Sequence, residues 1–153
     1  WYPALRLRED GAEVTFIGSG TSESYTGKYG YPVTADTSIL VAVAEDYDAV
    51  VIPGGWAPDF MRREPRMAEF VAKMDEMGRP IACICHGGWL LASAGVLKGK
   101  TATSFSAIKD DMVNAGCTWV DEEVVVDGNL VTSRKPDDLP AFCVKLIGLL
   151  AED

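Results

Sequence analysis

The stretch Arg79-Pro80-Ile81-Ala82-Cys83-Ile84-Cys85-His86-Gly87-Gly88-Trp89-Leu90-Leu91 constrains the fold more than any other part of the chain. An apolar run ends at Cys85, small residues (Cys83 and Gly87) stand two positions to either side, and a helix-prone segment, Trp89 to Val96, follows at once. A chain written this way makes a sharp strand-to-helix turn, a nucleophile elbow, that presents one side chain above a sheet. The elbow needs a buried strand before it and a covering helix after it. The segment therefore calls for a layered α/β domain.

The surrounding sequence repeats the alternation. Ala49 to Pro53 and Pro80 to Ile84 are continuous apolar runs, as expected of strands covered on both faces. Gly54-Gly55 closes the first. Pro65 to Met77 puts Met67, Phe70, Val71 and Met74 on one stripe and stops at Gly78, which predicts an amphipathic helix. Further helices are predicted over Pro3–Asp10, Ile108–Ala115 and Leu139–Leu150, and strands over Ala12–Gly18 and Thr101–Ser104. Gly18–Gly30 reads as a loop, Asp36–Ala44 as a short helix or turn, and Gly116–Val120 as extended. Glu123–Val126 and Asn129–Ser133 flank Asp127-Gly128, the signal of an antiparallel hairpin. The expected fold is one three-layer α/β domain with a mainly parallel sheet and a small hairpin. Its 153 residues suffice for a substantial core. The chain starts Trp1-Tyr2-Pro3, without methionine, and with a helix where a doubly wound sheet opens with a strand. A preceding strand and loop are therefore expected outside this sequence.

Charge narrows the partners. With 14 basic and 23 acidic residues the chain carries −9, which argues against nucleic acid and anionic membranes. No apolar stretch is long enough to span a bilayer. Of the four cysteines, Cys83 and Cys85 alternate on one strand, point to opposite faces and should not pair, while Cys117 and Cys143 read as structural. A single histidine and the lack of a CxxC motif argue against zinc, and no cofactor is implied. A functional unpaired thiol suits a reducing cytoplasm.

The chemistry centres on Cys85. An elbow puts its sulfur at the carboxyl end of the sheet, where open α/β folds bind ligands, and the following helix start favours thiolate. Gly87 and Gly88 are expected to let backbone and substrate approach. The competing reading is an inert cysteine at a strand end. His86 is the only imidazole available as acid or base, and its backbone N–H stands where an oxyanion donor belongs. Neighbouring side chains on a turn diverge, and a histidine packed at the helix start is the plainer alternative. Gly54-Gly55 offers a second backbone donor near the same sheet end. Asp59 is a candidate orienter of His86 and equally a cap for the turn at Phe60.

Val51-Ile52-Pro53-Gly54-Gly55, Ala82-Cys83-Ile84-Cys85-His86-Gly87, Ser93 to Gly99, Ile108 to Gly116 and Val124 to Asn129 closely resemble the PfpI-type intracellular cysteine peptidases of the ThiJ/PfpI superfamily. The resemblance covers nearly the whole chain. It implies a fold like the class I glutamine amidotransferases and Cys85 as nucleophile beside His86. It implies an oxyanion hole from the N–H groups of Gly55 and His86. It also implies a dimeric or hexameric homo-oligomer in which the acid at Asp59 serves the neighbouring subunit's pair. The family places a glutamate just before the Tyr-Pro segment, a position that precedes Trp1. Some relatives carry glutamate at the Asp59 position and tyrosine at the Phe105 position.

Three functions are then in play. The first is a cysteine hydrolase of peptides, with stress-related character. The second is a glyoxalase or deglycase, in which the same sulfur attacks an aldehyde or a glycated adduct. The third is a non-catalytic thiol sensor in which Cys85 oxidises. A glutaminase needs a second, remote histidine, which this chain lacks.

Overall fold

The elbow strand lies inside the sheet rather than at its edge. A computed structural model describes residues 1–151. In chain order the elements are α1 (Tyr2–Glu9), β1 (Ile17–Gly18), β2 (Ser24–Thr26), β3 (Pro32–Thr34), β4 (Thr37–Ser38), β5 (Val50–Ile52), α2 (Ala57–Met61), α3 (Pro65–Glu76) and β6 (Ile81–Ile84). They continue as α4 (Gly88–Ala94), β7 (Thr101–Ala102), α5 (Lys109–Asn114), β8 (Thr118–Trp119), β9 (Val124–Asp127), β10 (Leu130–Ser133) and α6 (Leu139–Ala151). The main sheet runs β5-β6-β10-β9, with β5, β6 and β10 parallel and β9 antiparallel to β10. β1 pairs with β4 and β7 with β8 in short parallel ladders, and β2 pairs antiparallel with β3.

Every residue of β6 and β10 is buried, which explains why these segments show no polar–apolar alternation. Ile81 and Cys83 face one core layer, with Met67, Phe70, Val71 and Met74 of α3, Leu90 and Leu91 of α4, and Met112 of α5. Ala82 and Ile84 face the other, with Leu7 of α1 and Phe142, Cys143 and Leu146 of α6. The result is a three-layer, flavodoxin-like arrangement, as the alternation of strands and helices predicts. Each buried Val, Leu, Ile, Phe or Met among them contributes about 1.5–3 kcal/mol, so the two layers together hold the elbow strand in place.

Several local expectations differ from the structure. Among the described residues β5 has a ladder partner on one side only, and Val50 and Val51 stay half-buried, so it is not covered as fully as its sequence suggests. The strand expected over Ala12–Gly18 shrinks to Ile17–Gly18. Before it, Phe16 is tied to a loop instead: its N–H donates to the Asp36 carboxylate and its C=O accepts from Asp36 and Thr37 N–H. The Gly18–Gly30 loop contains β2, whose ends are exposed and polar and so carry no apolar signal. Asp36–Ala44 holds the expected turn, preceded by β4, which is not expected from the sequence, and a 3-10 turn begins at Ala44. The hairpin turn is Gly128-Asn129, one residue later than the sequence suggests, because Leu130 stands opposite Asp127. Asp127 is held in the strand, its carboxylate accepting the Thr101 N–H at 2.7 Å, while Asn129 Nδ2 donates to Asp75 Oδ1 and the Arg79 carbonyl. All four cysteines are unpaired, as expected of Cys83 and Cys85. Among the described residues no helix is long and apolar enough to cross a membrane.

Candidate active site

Cys85 follows the last residue of β6 and has φ +62, where every other described residue with positive φ is a glycine. A side-chain-bearing residue in that region costs about 1–2 kcal/mol, and the neighbouring backbone must impose it. The imposing groups are visible. A Cβ added to Gly54, at the end of β5, would lie 2.6 Å from Cys85 Cβ and 3.3 Å from its Sγ. One added to Gly87 would lie 2.7 Å from Cys83 Sγ and 3.1 Å from the Ile52 carbonyl. The two glycines let β5 and β6 close on the turn. Gly87 and Gly88 are both buried, and Gly88 packs against Met112. Their small size serves close packing beneath the turn, and at Gly87 it admits the Ile52 backbone, the close backbone approach expected there. A single 3-10 turn, Cys85–Gly87, leads into α4, which ends at Gly95 in the left-handed conformation.

The turn brings the two candidate reactive groups together. Cys85 Sγ lies 3.3 Å from His86 Nδ1, so adjacent side chains do not diverge here. Both residues are half-buried. Burial draws the His86 pKa below the ordinary histidine value, which keeps the imidazole neutral at neutral pH and able to accept a proton. Cys83, two residues earlier, is fully enclosed. Burial, with Cys85 nearby, pushes its thiol far above the usual range.

Gly55 is exposed at φ +68 beside the elbow, in position to present backbone at the sheet end. Asp59 sits in the first turn of α2 and pairs with Arg63 four residues on. Within one chain no hydrogen bond joins it to His86, and the residue that caps α2 is Trp56.

Sequence reasoning missed the aromatic surround. The His86 ring stacks on Phe105 with centroids 5.1 Å apart and planes 27° apart. Trp89 meets it edge-on at 5.1 Å, and Trp56 lies at 5.8 Å. Trp89 is oriented by its Nε1–H, which donates to Asp111, and Phe105 is tethered by its N–H to the Cys85 carbonyl at 3.4 Å. The only local signal is that Trp56, Trp89 and Phe105 follow the carboxyl ends of β5, β6 and β7, and it is the strand arrangement that brings the three positions together. The Lys109-Asp110-Asp111 run is likewise more than a solvated face, since Asp111 holds Trp89 and Lys109 lies over Trp119.

This geometry agrees with what the sequence matches. The model of the DJ-1/PfpI family covers residues 1–149. The chain belongs to the DJ-1/PfpI family. Within that family it is 48% identical over 149 residues to a protein named Deglycase PH1704 from Pyrococcus horikoshii, a match spanning 97% of this chain and 89% of the relative. It is 41% identical over 148 residues to Putative cysteine protease YraA from Bacillus subtilis, spanning 97% and 88%. A crystal structure from Anabaena variabilis, a two-domain protein with DJ-1/ThiJ/PfpI-like and ferritin-like domains, superposes with TM-score 0.95 at 46% identity. That match covers 98% of this chain and 43% of the longer protein. The DJ-1/PfpI assignment accounts for the elbow and for the parallel strands that carry it.

Proposed function

We propose that the chain is a thiol-dependent hydrolase of small reactive carbonyls and their adducts, the class suggested by the relative named Deglycase PH1704. The observation that carries this reading is the 3.3 Å approach of Cys85 Sγ to His86 Nδ1 on a residue held at φ +62. Sγ gives its proton to Nδ1 and adds to an aldehyde carbon. The C–S bond forms as the carbonyl π pair moves onto oxygen, with the N–H groups of Gly55 and His86 assigned as the oxyanion donors. With a 1,2-dicarbonyl, a proton then moves from the hemithioacetal carbon to the neighbouring carbonyl carbon. The first carbon is oxidised and the second reduced within one molecule, leaving a thioester. Water cleaves the thioester and restores the thiol, so that dicarbonyl plus water becomes a 2-hydroxy acid. With a glycated amine, the C–S bond replaces C–N and the amine departs with a proton.

Peptide hydrolysis is the second reading, favoured by similarity to the relative named Putative cysteine protease YraA. It asks more of the same pair. An amide carbonyl is less electrophilic than an aldehyde, so the imidazolium formed by taking the Sγ proton must persist longer before it protonates the amine leaving group, and burial works against that charged form. The acid that would steady that cation is engaged by Arg63 in its own chain. A homo-oligomer in which Asp59 leaves Arg63 for a neighbour's His86 would supply it, and the half-buried position of Asp59 allows such a contact. Mixing Cys85→Ala with Asp59→Ala subunits tests that arrangement. Shared sites restore part of the activity, and no recovery rejects them.

The deciding experiment offers methylglyoxal, a glycated amine and a fluorogenic peptide to the protein and to Cys85→Ala. Cys85-dependent consumption of the carbonyls with release of 2-hydroxy acid is the expected result. Peptide cleavage alone would shift the assignment to the second reading. Loss of all three would leave a redox-sensing role for Cys85.

A further inference from the structure

Trp56 has no part in the mechanism above, yet it is the most conspicuous group beside the thiol. It is 71% exposed, an unusual state for the bulkiest of apolar side chains. Its place follows from the backbone. Gly54 presses on Cys85 with no room for a Cβ, Gly55 turns at φ +68, and Trp56 emerges at the lip of the elbow. One side of the indole is backed by neighbouring rings: His86 at 5.8 Å, and Trp89 at 6.3 Å and tilted by 32°. Phe105 is stacked against the other partner of the reactive pair. The rim of the thiol is thus built from flat π surfaces.

We propose that Trp56 is a specificity-determining residue that receives an aryl group carried on the carbonyl next to the aldehyde attacked by Cys85. Aryl-substituted dicarbonyls, of the phenylglyoxal type, are then preferred over methylglyoxal. This deepens the carbonyl-hydrolase reading and rests on Cys85 as its nucleophile. Offset or tilted stacking on an exposed indole rewards a flat ring in a way that a methyl group cannot match. A cationic ligand fits the surroundings less well, although indoles bind cations too. The nearby carboxylates are engaged, Asp59 by Arg63 and Asp111 by Trp89 Nε1–H, and the Arg63 guanidinium already sits over the Phe60 ring at 4.4 Å.

The test reads recognition separately from turnover. The full chain is treated with N-methyl, N-phenyl and trimethylammonium-alkyl maleimides, and the rate of Cys85 modification is followed by mass spectrometry. Each rate is divided by that of glutathione with the same probe. The N-phenyl probe is expected to exceed the N-methyl probe by about 3- to 10-fold, the range that one aromatic pair supplies. Trp56→Ala brings that ratio to about one, and Trp56→Phe retains part of it. The kcat/KM ratio of phenylglyoxal to methylglyoxal falls by a similar factor in Trp56→Ala. Equal ratios in the unaltered protein, a ratio indifferent to Trp56→Ala, or preference for the cationic probe would overturn the proposal. So would sedimentation showing that Trp56→Ala splits an oligomer while the probe ratio is unmoved, since Trp56 would then be covered by a second copy. If the probe ratio holds but neither dicarbonyl is consumed, the aryl subsite stands and the carbonyl-hydrolase reading falls.

Discussion

Cys83 and Cys85 are two residues apart on one segment and share the same side-chain chemistry, yet the fold makes opposite things of them. Cys83 lies in β6 with ordinary strand geometry, is 2% exposed, and has its sulfur under Gly87. Its thiol is held neutral by burial. Cys85 lies one step past the strand, is half-buried, adopts a conformation otherwise used here by glycine, and meets an imidazole. The difference ties the reactivity expected of Cys85 to the turn and not to the residue type. A thiol inside the sheet is packing material with a polar atom. The same thiol at the end of the strand is presented to solvent and to a base.

The contrast can be broken at either cysteine. The largest effect is expected from Cys85→Ala, which should abolish carbonyl turnover, at least about 1,000-fold in kcat/KM, with little change in Tm. Removing a nucleophile leaves only binding and oxyanion contributions. A Cys85→Ala protein that retains turnover in a kinetic assay would assign the chemistry elsewhere. Next comes Gly54→Ala. The new methyl must displace Cys85, so a loss of about 1–3 kcal/mol in denaturant unfolding should accompany a fall in activity of ten-fold or more. Full activity with unchanged stability would mean that the elbow is not clamped by β5.

The pH dependence sharpens the role of the base. His86 must be neutral to accept the Cys85 proton, and burial lowers its pKa below about 6.5, the usual value. Activity should therefore stay level from neutral pH downward and fall only as the medium passes below that point. A fall centred above it, followed by kcat/KM against pH, would point to a different titrating group. The smallest effect belongs to Cys83→Ala. Loss of one buried sulfur should cost about 1 kcal/mol of stability in thermal or urea unfolding and leave the rate of Cys85 labelling within about two-fold. Strong loss of labelling would show that the two thiols are coupled rather than contrasted.

Much of this contrast was legible in the sequence, because its causes are local. An apolar run, a cysteine flanked by small residues and an immediate helix specify the elbow without knowledge of the rest. The stripe Met67, Phe70, Val71 and Met74 likewise announces α3, and all four residues are buried. What escaped was set by contacts between distant segments. The role of Gly87 depends on Cys83 lying beneath it and on the Ile52 carbonyl of a different strand. The ring cluster around His86 depends on strand order, which period and composition do not encode. The one-residue shift of the hairpin arises because Asp127 and Asn129 are held by Thr101, Asp75 and Arg79. The β2–β3 pairing was hidden for another reason. Its strands are exposed at both ends and bury too little to leave a pattern.

The parallel pairing of β5, β6 and β10 has a consequence for the order of events in folding. β6 cannot complete its ladders until Leu130–Ser133, near the end of the chain, has arrived beside Ile81–Ile84. Such pairings close long loops and form late. In a partly folded or still-growing chain Cys85 is therefore expected to behave as an ordinary cysteine, its enhanced reactivity arriving with the finished sheet. Its labelling rate during refolding is expected to rise with the last structural phase. The thiol would then serve as an internal clock for completion of the fold, and reactivity that precedes sheet formation would remove that coupling.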